Sequence, residues 1–232
     1  MSISSFSLKI FTYAKGLFSL FRDRGLYKLS YAQEGEDLIL GRIFDRSSSG
    51  YYIDIGAHHP VRFSNTYLFY KRGWRGVCVD PSQDAIALFK QRRPADIALE
   101  MGVSDQESEL TYYMFDEPAL NTFSKILADQ RIENTTYKSI GTRKVPVRPL
   151  NKILDEILQP GTKIDFMTID VEGLDYQVLV SNDWSKYRPR IVLAEALDDE
   201  AGERIRAFMI QNNYKIIART FNTEFYQDCS NL

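Results

Sequence analysis

The 232-residue sequence predicts an α/β fold: a mostly parallel sheet with helices on both faces and a terminal antiparallel hairpin. Three observations predict it. From residue 31 onward, short apolar runs alternate with helix-like stretches. Four of those runs, YYIDI, RGVCVD, KIDFMTID and RIVLAEA, are almost continuously apolar, as strands buried on both faces must be. Acids stand at the ends of three of them, Asp80, Asp170 and Glu195. In such folds the carboxyl ends of the strands are where ligands bind.

The first 29 residues form an extension, and residues 30–232 form the domain. In SLKIFTYAKGLFSLFRDRGLYK, Ile10, Phe11, Ala14, Leu17, Phe18 and Phe21 recur at helical spacing among five basic residues. A basic amphipathic helix over residues 6–28 packs on the domain or on a second subunit, or lies on an anionic membrane surface. Lys15 interrupts the apolar run, which makes a poor signal peptide. No segment is apolar and long enough to span a bilayer.

Within the domain, residues 32–44 read as a helix leading into the first strand, 51–55. A short helix follows at 64–71, then a buried strand at 75–80. Pro81 and Ser82 open a helix that Pro94 stops. Residues 97–103 read as a third strand and the aromatic run LTYYMF, 110–115, as an added one. Residues 116–143 show no period and read as a lid or binding loop. Beyond them KVPVRPL is extended, and 151–158 is helical. Strands at 163–170 and 190–196 enclose a helix at 174–180, and 198–212 is helical. YKIIART and EFYQDC then make a hairpin around Asn222 and Thr223.

With 44% hydrophobic and 26% charged residues, the composition is that of a soluble globule. A net charge of -2 gives no electrostatic case for nucleic acid. The two cysteines, Cys78 and Cys229, form neither a disulfide framework nor a metal knuckle. A reducing compartment follows. The expected location is cytoplasmic, with contact to the inner face of a membrane if the basic helix is used that way.

The chemistry concentrates in YYIDIGAHHPVRFSNT. Asp54 and Gly56 close the first strand and Asp80 closes the second. That order suits an adenosine, whose ribose hydroxyls the second acid accepts. A dinucleotide loop needs further glycines to admit a pyrophosphate, and this loop reads G-A-H-H-P-V. A cofactor without phosphate, S-adenosylmethionine, fits better than a nicotinamide dinucleotide. The competing reading is a strand-turn-helix with incidental acids.

Taken in order, YAQEGEDLIL, the stretch from Tyr52 through Pro81, MGVSD, IDFMTIDVEGLDYQVL and RPRIVLAEA resemble the FkbM family of S-adenosylmethionine-dependent methyltransferases. The resemblance implies a class I methyltransferase fold with a seven-stranded sheet, and O-methylation in pathways for surface polysaccharides, glycolipids or polyketides. It implies that Asp54 and Gly56 shape the cofactor loop, that Asp80 binds the ribose, and that Ser104 and Asp105 lie near adenine. Gln33, with Glu36 and Asp37, would help close the pocket. Asn65 and Thr66 would contact the methionyl part, while Ser64 serves equally as a helix cap. A sugar hydroxyl needs a base to become a nucleophile. Asp170 and Glu172 of IDVEG are the carboxylates for that work, with His59 as a third candidate.

The family loop reads closer to G-A-N-x-G, and His58-His59 departs from it. They are the only two histidines in the chain. Three readings stay open: a general base, a ligand for a divalent metal together with Asp170 or Glu195, or pocket wall. No recognisable metal spacing accompanies them. For the acceptor, His58, Asn121 and Glu195 are the expected contacts, with Asn121 in a polar stretch that reads as a substrate lid or a wet surface loop. The partner is then a small-molecule or glycan acceptor. The rival to an enzyme is a non-catalytic cofactor-binding module of a glycan assembly complex.

Overall fold

The computed structural model describes residues 28–230. The amphipathic helix expected over residues 6–28 lies outside them, save Lys28. Tyr31–Leu232 forms one compact unit. Its strands are β1 (Tyr51–Ile55), β2 (Arg75–Asp80), β3 (Ile97–Glu100), β4 (Gly102–Val103), β5 (Ser108–Phe115), β6 (Ser139–Arg148), β7 (Phe166–Ile169), β8 (Ile191–Glu195), β9 (Tyr214–Arg219) and β10 (Thr223–Asp228). Its helices are α1 (Glu36–Ile43), α2 (Tyr67–Lys71), α3 (Gln83–Arg92), α4 (Lys125–Asn134), α5 (Leu150–Ile157), α6 (Asp175–Val180) and α7 (Asp199–Gln211).

The main sheet has seven strands in the order β3-β2-β1-β7-β8-β10-β9. The five strands from β3 to β8 pair in parallel, and β10 is antiparallel to both its neighbours. This is the class I methyltransferase arrangement. Period-two side-chain alternation sends successive residues of β1 to opposite faces. Ile53 and Ile55 join a core with Leu150 and Leu154 of α5, Val178 of α6 and Met209 of α7. Tyr52 joins a second core with Leu40 of α1, Phe69 of α2 and Phe89 of α3. Burying each such large apolar side chain favours the fold by about 1.5–3 kcal/mol. The register that results aligns Ile55 with Val79 and with Ile169, and Ile169 with Ala194. The residues that follow these positions therefore emerge at one edge.

The structure differs from the sequence expectations in four places. The strand expected over 97–103 breaks at Met101: β3 stays beside β2, while β4 joins β6 and β5 in a separate three-stranded sheet. Gly102 permits the crossing, since a Cβ there would lie 2.7 Å from Val147 and 2.8 Å from Phe123. Residues 116–143 are not irregular. They hold a 3-10 turn (Pro118–Leu120), α4 and the first half of β6. Ser124 caps α4 by accepting the Leu127 N–H (3.3 Å). The helix buries only Ala128 and leaves Ile126 and Ile132 exposed, so it carries no apolar stripe to read. The helix expected from residue 64 starts at Tyr67, and the one expected from residue 32 starts at Glu36, after a left-handed Gly35 (φ 87°).

Candidate active site

One cleft opens where β1, β2 and β7 end, with about 800 Å³ of open space counted to its mouth. Its apolar walls include Ile55, Val79, Met101 and Val103. Gly56 forms the floor with φ 81°, and a Cβ there would sit 1.7 Å from the Asp170 carbonyl oxygen. Only glycine lets the β1 loop lie this close to the β7 loop. Asp80 is buried at the rim: Oδ2 accepts the His58 N–H (2.8 Å) and Oδ1 the Ser82 N–H (2.7 Å). Burial pushes its carboxyl up to about 6, against these two hydrogen bonds.

The opposite wall carries Asp170, Val171 and Glu172. One carboxylate oxygen from each of Asp170, Glu172 and Glu195 lies within 4.8 Å of the others. Asp170 lines the cleft and keeps exposed surface there. Burial, then the charges of Glu172 and Asp175, raise its carboxyl well above the usual range. Glu195 is pushed up as well, by burial and then by Asp170. Glu172 rises by burial but is held down by Arg131 of α4, which donates to its Oε2. Its backbone is left-handed (φ 56°), and its carbonyl accepts the Thr122 hydroxyl (2.7 Å). The segment 116–143 thus grips the turn that holds Glu172.

The two histidines part company. His58 lines the cleft, stacks on Phe63 (6.2 Å between ring centres) and has a buried Nε2 with no partner. Burial, helped by Arg62, lowers its pKa to about 4, so the ring is neutral at ordinary pH. His59 is not in the lining. Its Nδ1 accepts the Val61 N–H (3.0 Å) and the Arg62 N–H (2.9 Å), which commits it to the turn. Arg62 then pairs with Glu117 through two 2.9 Å hydrogen bonds, tying this loop to the 3-10 turn.

Of the other residues expected at the site, Gln33 and Asn121 line the cleft. Asn121 also accepts the Phe115 N–H (2.8 Å). Asp54, Asn65 and Thr66 sit beneath it. Thr66 donates to Asp54 (2.6 Å), and Asn65 donates to Thr168 (2.9 Å). Ser104 donates to Asp105 (3.2 Å), and neither lines the cleft. Glu36 and Asp37 hold the entry to α1 instead, accepting the Glu34 N–H (2.9 Å) and the Tyr31 N–H (2.8 Å). Phe63, Met101, Arg131 and Arg93 were not expected. Arg93 is fully buried and binds Asp96, Tyr52 and Thr66 (2.8, 2.9 and 3.0 Å). Its place at a helix end before a proline is the ordinary place for a solvated basic residue.

The Methyltransferase FkbM domain matches residues 54–216. The chain belongs to this FkbM methyltransferase family. Solved structures similar to it include the ribosomal protein L11 methylase of Lactobacillus delbrueckii subsp. bulgaricus, at 9% identity and TM-score 0.44 over 84% of this chain and 79% of that one. A TehB-like SAM-dependent methyltransferase of Corynebacterium glutamicum gives 10% and 0.43, over 94% and 98%. A type 11 methyltransferase assigned in Sulfolobus solfataricus gives 10% and 0.42, over 88% and 96%. No curated protein matches.

The FkbM-family protein is an S-adenosylmethionine-dependent methyltransferase. The residues present fit that cofactor. Gly56 leaves room for it, Asp80 presents a carboxylate, and Met101 with Val103 offers flat apolar wall. The acid-rich lining also suits a cationic sulfonium. Among the described residues, no helix is long and apolar enough to cross a membrane.

Proposed function

We propose that this methyltransferase acts on a hydroxyl of a sugar, free or within a glycan or glycolipid intermediate. The carboxylate cluster at the cleft wall carries the reading. Oxygen acceptors need a proton taken from them, and carboxylates with raised pKa are suited to take it. When bound, S-adenosylmethionine supplies an electrophilic methyl group, to which the acceptor oxygen bonds as the carbon–sulfur bond breaks. Asp170 and Glu172 hold the hydroxyl and receive its proton. Asp80 accepts the ribose hydroxyls, and Gly56 lets the backbone approach. Asp54, Asn65 and Thr66 support that loop from below. His59 caps its turn, while neutral His58 offers Nε2 to the acceptor.

The upper wall supports a sugar. Tyr112, Phe123 and Phe63 give aromatic faces, while Asn121, Gln33 and His58 give hydrogen-bonding groups. The test is a methyl-transfer screen of sugar nucleotides, glycolipids and polyketide alcohols, with the product located by NMR. Methylation of a sugar oxygen is expected. Turnover confined to polyketide alcohols would replace the acceptor class, and methylation at nitrogen or carbon would overturn O-methylation.

A further inference from the structure

The carboxylates of Asp170, Glu172 and Glu195 come from two adjacent strand ends, and their nearest oxygens lie within 4.8 Å of one another. Three negative groups at that separation repel unless something positive lies between them. The only ion pair to the cluster among the described residues is that of Arg131 with Glu172. An independent observation concerns Glu195 alone. Its residue is 8% exposed, and its Oε2 is buried without a hydrogen-bond partner among the described residues. A buried carboxylate oxygen left unpartnered destabilises the fold, and more so when charged. Such atoms are retained where a ligand completes them.

We propose that Asp170, Glu172 and Glu195 bind one divalent cation at the wall of the cleft. Three oxygen donors select a hard cation, Mg²⁺, Mn²⁺ or Ca²⁺, over the softer metals that histidine and cysteine attract. The remaining coordination positions face the cleft that Asp170 and Glu172 line. A hydroxyl held there loses its proton more readily and is fixed in direction. This use rests on the reading of the cleft as a site of O-methylation; the binding itself does not.

The full chain is titrated with Mn²⁺, without cofactor or acceptor, and unbound Mn²⁺ is read by electron paramagnetic resonance. One Mn²⁺ per chain is expected, displaced by Mg²⁺ or Ca²⁺. Glu195→Gln should weaken binding by at least the roughly 10–100-fold that even an outer-shell change costs. Asp155→Asn, which alters an exposed acid paired with Lys186, should leave it unchanged. Circular dichroism checks that Glu195→Gln is folded; if it is not, Asp170→Asn serves in its place. Full free-Mn²⁺ signal with the wild type, or equal binding by the folded variant, overturns the site. Sugar methylation by a protein that binds no Mn²⁺ sinks the metal and leaves the proposed function standing. Mn²⁺ binding without sugar methylation does the reverse.

Discussion

On the α3 side of β1, the buried acids Asp54 and Asp96 share a cation. Arg93 donates to Asp96 and to Thr66, which in turn donates to Asp54. At the ends of β7 and β8, Asp170 and Glu195 have no such partner among the described residues, and the neighbouring Arg131 is spent on Glu172. Both regions put carboxylates into protein interior at a desolvation cost. In the first, every donor of the arginine finds an acceptor, so the network fixes structure. In the second the imbalance persists at a cleft, which is how sites of chemistry are poised. Burial alone therefore does not mark the active site; uncompensated burial does.

The comparison breaks most visibly at Arg93. Arg93→Ala leaves Asp96 buried and unpaired, and a loss of about 3–5 kcal/mol is expected in urea denaturation. A loss below about 1 kcal/mol would mean that the network does not stabilise the fold as described. Asp170→Asn should act oppositely. Turnover falls by about 10²–10³-fold, while stability and affinity for S-adenosylhomocysteine stay near wild type. Unfolding of that variant would erase the contrast between the regions. Asp80→Ala should weaken S-adenosylhomocysteine binding by about tenfold in calorimetry, the usual scale for a hydrogen bond to a charged group. Unchanged affinity removes Asp80 from the ribose contact.

The smallest effect concerns pH. The carboxyl of Asp80 sits near 6, raised by burial, with the charge of Asp54 adding and that of Arg143 opposing. Above that value it is a carboxylate and accepts ligand hydroxyls. As pH falls through about 6 it protonates, and affinity for S-adenosylhomocysteine should drop a few-fold. His58, with its pKa lowered to about 4, stays neutral through that window and does not interfere. An equal affinity at pH 5 and pH 8 would contradict the assignment, and Asp80→Asn should abolish the slope.

Much of the fold was legible because buried parallel strands are written as unbroken apolar runs. β1 and β2 begin and end where those runs do. The acids at their ends placed Asp80 and Asp170 at one edge for the same reason. The segment 116–143 was not legible. Its helix packs through Ala128 alone, and the outer half of β6 is exposed on both sides, so neither leaves a periodic trace. Charges buried by tertiary contacts were also hidden. Arg93 just after α3 and Arg131 within α4 stand where basic side chains normally face water, and only the fold supplies the acids they meet. Of the histidine pair, the sequence fixes that two neighbouring side chains diverge, but not which one the left-handed His58 (φ 49°) sends into the cleft.

Gly56 lets the loop after β1 pack directly against the Asp170 carbonyl of the loop after β7, so the two loops form one floor. On the proposed reading, methyl donor and base are then held at a fixed spacing. Choice of acceptor then falls to the roof, built by residues 116–143, whose outward Ile126 and Ile132 owe nothing to the core. Substitutions in the roof should then alter the choice of acceptor before they alter the floor.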